Sequence, residues 1–254
     1  MSAASYNLLD ERWVPVLCRS GRRRDIAPHQ LSDPDDPPVR IVSPRPDFDG
    51  ALVQLLIGLV QTCAAPETKR EWRQGFDDPP SPESLQARFA SVREAFWLDG
   101  DGPRFMQDLD LCEPDGKPWS IGTLLIEAPG DNTLKGNKDL FAKRGQVEAM
   151  SLPMAAMALL TLQINAPSGG SGHRVGLRGG GPLTTLVLGP PGSTLWQTVW
   201  LNVLRSQQFH SGPGDPALLA LADTFPWMAP TRTSEGGRST SPVDVHPAHH
   251  FWLS

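Results

Sequence analysis

The stretch Ala166–Thr185, APSGGSGHRVGLRGGGPLTT, sets closely spaced glycines beside His173, Arg174 and Arg178. A glycine backbone takes φ > 0 without steric cost and lets another molecule approach its N–H groups. Arginine beside such a backbone suits phosphate, because its planar fork donates two parallel hydrogen bonds. A backbone without side chains can also enter a minor groove where a bulkier one would clash. The pattern predicts a loop that meets a polyanion, not a catalytic centre. Arg178 fits two roles equally, a phosphate contact or a partner for an internal carboxylate. Gly179–Gly181 could also serve only to turn the chain into a strand.

A second group precedes it. Asn132, Lys135, Asn137, Lys138, Lys143 and Arg144 lie in the segment DNTLKGNKDLFAKR, with Phe141 among them. The cations suit phosphates, the amides can bond base edges or phosphates, and the aromatic ring can stack. The formal charge agrees. Residues 1–131 carry 14 Lys/Arg and 22 Asp/Glu, a net −8, whereas residues 132–181 carry 6 and 2, a net +4. A basic island in a chain of net charge −5 is a local electrostatic footprint.

Other chemistries lack their residues. GxxxxGK[ST], GxSxG and HExxH are missing, and Gly170-Ser171-Gly172-His173-Arg174-Val175 fails GxGxxG at its last position. No paired carboxylates stand in a recognisable frame, so no enzyme is indicated. His246, His249 and His250 are close together, but no Cys or acidic ligand follows at a useful spacing, so no metal or cofactor is expected. The Asp99–Gly102 turn lacks the rest of a calcium loop. Cys18, Cys63 and Cys112 form no CxxC pair, and reduced, packed thiols suit a cytoplasmic protein. No signal-peptide core and no run of 18 apolar residues occurs, which predicts no membrane association.

The elements that must hold these loops follow from periodicity. Trp13–Leu17 reads as a strand with an edge proline at Pro15, and Asp25-Ile26 begins its return after a turn at Ser20-Gly21. Arg22–Arg24 reads as a solvated turn face, and 33–38 as a proline-rich acidic loop. Leu52, Leu55, Leu56, Leu59, Val60 and Cys63 mark a helix over 51–63. Ser81 and Pro82 open a second helix with the stripe Leu85, Phe89, Val92 and Phe96. Residues 131–146 read as an exposed mobile loop. Ser151 caps a third helix with Met154, Met157, Leu160 and Ile164 on its apolar side. Leu183–Leu188 reads as a strand, Pro190–Gly192 as a turn, and Thr194–Gln208 as a helix capped by Ser193. The class is α+β, with mixed helices, short sheets and many loops.

Five segments, in order, resemble one family. They are Asn7–Val16 (NLLDERWVPV), Asp101–Asp108 (DGPRFMQD), Ala128–Thr133 (APGDNT), Gly176–Thr185 (GLRGGGPLTT) and Trp200–Leu204 (WLNVL). Together they are similar to the large subunit, CasA, of the CRISPR type I-E Cascade complex, and the likeness runs from residue 7 to about residue 252. It implies a non-catalytic subunit of a crRNA-guided surveillance complex for antiviral defence. Such a subunit sits near the crRNA 5′ handle and reads the protospacer-adjacent motif of double-stranded target DNA, mainly from the minor groove. It also aids strand opening and docks a helicase-nuclease. The division of labour is that of RNA-guided systems, where protein reads a short motif and base pairing reads the rest. The family's glycine loop maps onto Gly169, Gly170, Ser171 and Gly172, and its mobile DNA-contacting loop onto Asn132–Arg144. Residues 1–254 are then expected to form a single N-terminal domain. The family's lysine-bearing minor-groove element, wedge hairpin and C-terminal helical bundle lie beyond this sequence. The alternative from another class is an assembly module that binds other Cascade subunits with little DNA contact. An enzymatic reading would need a metal at His246, His249 and His250.

Overall fold

Val14, Val16 and Cys18 alternate with Pro15 and Leu17, and the first three are 1% exposed or less. That alternation makes strand β1 (Val14–Cys18) with one face in the core. The computed structural model describes residues 6–111, 118–140, 145–165, 185–209, 220–230 and 251–252. Strand β1 is the middle of a three-stranded antiparallel sheet, flanked by β2 (Arg23–Ile26) and β3 (Pro38–Ile41). Pro15 therefore stands in the central strand, not at an edge as its residue type predicts. Its carbonyl accepts from Val42 N–H at 2.9 Å, beyond the last residue of β3. Pro15 is therefore an acceptor only in the last rung of this ladder, where its missing N–H interrupts no further pairing. Arg24 also departs from the solvated-turn reading. Its guanidinium donates to Asp33 and to Cys18 Sγ, which ties the acidic loop to the sheet.

The apolar run at 51–63 becomes α1 (Pro46–Ala64). It starts earlier than the stripe because Pro46, Asp47 and Asp49 suit a first helical turn. Leu52, Leu55, Leu56, Leu59 and Val60 are all 2% exposed or less, and α1 packs against α3 (Pro82–Phe89), α5 (Leu152–Asn165), α6 (Leu195–Trp200) and β3. Ser81 caps α3 as expected, its Oγ accepting from Ser84 N–H at 3.2 Å. The helix then tightens to 3-10 over Ala90–Phe96, which keeps Val92 and Phe96 buried. In α5, Met157 and Leu160 are buried, while Met154 and Ile164 pack at its margin. Cys63 is packed too, and burial pushes its thiol up to about 12.

Helix α2 (Lys69–Asp77) shows only a short apolar pair, Trp72 and Phe76, whose rings stack and pack against the core without being fully buried. Its stronger signal is the cap. Thr68 Oγ1 accepts from Glu71 N–H at 3.1 Å, and the Glu71 carboxylate accepts from Glu67 N–H at 2.9 Å. That backbone bond holds the Glu71 carboxyl below its ordinary range. Indole donors join α2 to α6. Trp196 Nε1 donates to Gly75 C=O and Trp200 Nε1 to Trp72 C=O, both at 2.7 Å, while Trp72 Nε1 donates to Val203 C=O at 2.9 Å. A Cβ on Gly75 would lie 2.5 Å from Trp200 Cζ2. The ring is held by its own hydrogen bond, so it cannot swing aside freely. Gly75→Ala is expected to cost about 1–3 kcal/mol by overpacking. A denaturant midpoint equal to the parent's would remove this contact from the account.

The strand expected at 183–188 does not form over its described part. Residues 185–189 run without a strand partner among the described residues. The Pro190–Gly192 turn does form. Ser193 N–H donates to Pro190 C=O at 3.0 Å, and Gly192 has φ 90°, as the third position of a type II turn requires after Pro191. Thr194, not Ser193, caps α6, and Gln197 returns a bond from its side chain to Thr194 N–H. The helix expected to run to 208 stops at Trp200 and resumes as α7 (Ser206–Phe209), and α8 (Leu221–Thr224) follows.

A second aromatic core joins distant parts of the chain. Phe96, Phe105, Phe225, Trp227 and Trp252 interleave, with ring centroids 5.1–6.3 Å apart. Trp227 Nε1 donates to Ala95 C=O at 2.7 Å and Trp252 Nε1 to Thr62 Oγ1 at 3.1 Å, so neither indole is buried unsatisfied. The whole is α+β, as the sequence indicated.

Candidate nucleic-acid interface

Gly130 opens a short helix, α4 (Asp131–Lys135), where an open loop was expected. The helix ends in a Schellman motif. Lys138 N–H donates to Thr133 C=O at 2.9 Å and Asn137 N–H to Leu134 C=O at 3.2 Å. Asn137 has φ 50°, a left-handed conformation that asparagine tolerates well. Residues 131–138 thus form a short helix and its C-terminal turn where the sequence predicts an open loop. Asn132, Lys135, Asn137 and Lys138 are all exposed. Neither Lys135 nor Lys138 makes an ion pair among the described residues. Lys143 and Arg144 lie outside the described residues. So do Gly169, Gly170, Ser171, Gly172, His173, Arg174 and Arg178, and His246, His249 and His250.

What the structure does place is the support of both segments. Upstream of α4, Arg45 Nη1 and Nη2 donate to Glu127 Oε1 and Oε2, each at 2.6 Å. The same guanidinium bonds Asp47 and lies 5.2 Å from the Phe48 ring centroid. This fork holds the Glu127 carboxyl below its ordinary range and the arginine above its own. The 3-10 turn Ile121–Leu124 packs on α5. The glycine-rich stretch begins just after the last residue of that same helix. Near its end, Gln163 Nε2 donates to Met106 C=O at 3.2 Å. Downstream, Val187 is bonded to Asn202, and α6 rests on α1, as α5 does. The chain segments leading into both basic loops therefore converge on α5, and those flanking the glycine-rich stretch share α1 as their floor.

Several contributors are not legible as site residues. Gln163, Asn202 and the Arg45–Glu127 fork act through contacts between positions well separated in sequence. Arg104, within DGPRFMQD, has its Nε buried without a hydrogen-bond partner among the described residues, and Met106 takes φ 52° two residues later. The segment is pinned by Phe105 N–H to Trp97 C=O at 2.7 Å and by Gln107 Nε2 to Leu98 C=O at 2.9 Å. Residues 6–8 pair with 96–98, through Leu8 N–H to Phe96 C=O and Leu98 N–H to Tyr6 C=O. Two of the segments that carried the family likeness are thus neighbours in space. No group of three His, Cys, Asp or Glu side chains suited to a metal occurs among the described residues.

The architecture is that of a known class of CRISPR-associated proteins. It resembles the crystal structure of Thermobifida fusca Cse1 with a TM-score of 0.64 and 20% identity, covering 91% of this chain and 44% of that one. It resembles Thermus thermophilus CasA (Cse1) with a TM-score of 0.60 and 22% identity, covering 97% of this chain and 45% of that one. A chain in a structure described as a CRISPR RNA-guided surveillance complex matches with a TM-score of 0.56 and 21% identity, over 78% of this chain and 43% of that one. The family model for CRISPR-associated protein Cse1 matches residues 7–254. The chain belongs to the Cse1 family. A curated relative, CRISPR-associated protein CasA/Cse1 of Thermus thermophilus, is 30% identical over 213 residues. That match takes in 80% of this chain, which spans 40% of the relative's length.

Proposed function

We propose that this chain is the N-terminal domain of the non-catalytic large subunit of a crRNA-guided surveillance complex of the cytoplasm. In this reading it lies near the crRNA 5′ handle and contacts other subunits of the complex. It recognises the protospacer-adjacent motif in double-stranded DNA, aids target-strand opening and docks the helicase-nuclease. The observation that carries the reading is that the chain segments leading into both basic loops meet at α5, within a Cse1 fold. Lys135 and Lys138, exposed and without carboxylate partners among the described residues, supply charge for backbone phosphates. The glycine-rich stretch supplies N–H groups that can reach a groove floor. Among the described residues no helix is long and apolar enough to cross a membrane.

The test uses the complete subunit assembled with its guide RNA and partner subunits. Replacing Lys135, Lys138, Lys143 and Arg144 by Ala should weaken binding to motif-bearing and motif-lacking duplexes almost equally. Each lost phosphate contact should flatten the log–log salt slope by about 0.9. A slope identical to the parent's would refute the assignment of these cations to DNA. One observation favours a second reading, that of an assembly module. Leu140 is 68% exposed and Trp119 53%, both close in sequence to loops of this region, and exposed apolar side chains suit a protein neighbour. In that case the same four substitutions would reduce incorporation into the complex and leave the salt slope of the assembled fraction intact.

A further inference from the structure

Residues 185–189 link the glycine-rich stretch to the type II turn. Val187 is 53% exposed and Leu188 73%, so burial does little to hold this segment, and only Leu186 packs on the core. Yet both backbone groups of Val187 are bonded. Its N–H donates to Asn202 Oδ1 and its C=O accepts from Asn202 Nδ2, each at 2.8 Å. A primary amide presents one donor and one acceptor side by side, as a residue of a neighbouring antiparallel strand does. The amide is itself fixed, because Nδ2 also donates to Thr198 C=O at 2.8 Å. Thr198 belongs to α6, which is held by its capping box and by the Trp196 and Trp200 indoles. The chain from 185 to 202 is thus closed on itself by one side chain.

We infer that Asn202 is a positioning residue for the DNA interface. It stands in for a missing strand, fixes the downstream root of the glycine loop and so sets how that loop meets a duplex. This rests on the reading of the glycine loop given above. Asn202 itself touches no DNA, and its loss leaves every cation in place.

The experiment compares Asn202→Ala and Asn202→Asp with the parent and with Gly170→Val, each as complete subunit in the assembled complex. Asn202→Asp keeps the side chain's shape and one acceptor, loses both donors, and sets a carboxylate against two carbonyls. Hydrogen exchange within 185–189, at the Val187 amide, should quicken about tenfold in both Asn202 variants, the scale of one or two lost hydrogen bonds, while 195–200 stays protected. The affinity ratio between motif-bearing and motif-lacking 40-bp duplexes (about 40, long enough for one site) should fall about tenfold at an unchanged salt slope. If Asn202→Ala also loosens 195–200, Asn202→Asp carries the comparison. Unchanged exchange at 185–189 overturns the clip. Faster exchange with an unchanged motif ratio overturns the positioning role, and loss of the ratio in Gly170→Val then shows that the interface reading stands. If Gly170→Val keeps the ratio, the interface reading fails and takes this inference with it.

Discussion

Phe96→Ala is expected to destabilise the fold by about 3–5 kcal/mol, the range for truncating a fully buried phenylalanine. Phe96 is 0% exposed and meets Phe105, Phe225, Trp227 and Trp252 at once. Three of these contacts are edge-on, an arrangement that adds to simple area burial. The four rings come from three separate stretches of chain, and both indoles among them are tied down by hydrogen bonds to Ala95 and Thr62. They cannot all move inward to fill the space, so a cavity remains. The thermal midpoint should fall by about 10 °C for a domain of this size. Phe96→Leu, which restores much of the volume, should recover more than half of the loss. An alanine variant that melts within about 2 °C of the parent would show that the five rings do not act as one core.

Phe96 also shows where a sequence speaks and where it does not. Its place on a stripe with Leu85, Phe89 and Val92 follows from spacing alone, and the structure buries all four. Its partners Phe225, Trp227 and Trp252 lie far along the chain, and nothing local announces them. The same contrast runs through the molecule. The Ser81 cap, the Pro191-Gly192 turn and the α1 stripe are set by neighbouring residues, so they are legible. Helix α2 carries only the short apolar pair Trp72 and Phe76 because it meets α6 largely through carbonyls and indoles, and its Thr68–Glu71 cap marks it more clearly. The strand expected at 183–188 has the right β-branched composition, but a strand needs a partner, and Asn202 supplies that for one residue only. Pro15 sits in a central strand because β3 ends before it. At the candidate interface, charge and glycine content name the loops, whereas the meeting of their flanking segments on α5 and α1 is tertiary and cannot be read locally. The helical half of the basic segment escapes the sequence because a Schellman motif with asparagine at its left-handed position carries no glycine there.

The largest functional effect is expected at the glycine loop. Gly170→Val and Gly172→Val should each abolish discrimination between good and bad motifs while the complex still assembles. Minor-groove readout is degenerate, resting on the N3 and O2 acceptors of the groove floor and on the amino group of guanine. A backbone N–H reaches those acceptors only within about 3 Å, which brings its Cα against the sugar walls. Glycine permits that approach, and the small Ser171 between the two adds little bulk. A branched Cβ at either position would meet the wall first. Phosphate contacts by Lys135 and Lys138 would survive, so residual affinity should persist with its salt dependence while the motif-dependent part is lost. The competing account gives these glycines only a φ > 0 role in a turn, where valine is strained. That account predicts poorer stability or assembly, with normal motif ranking in whatever complex forms. Assembly yield and motif-dependent binding, measured on the same preparations, separate the two. Assembled variants that still rank motifs as the parent does would end the case for minor-groove reading by this loop.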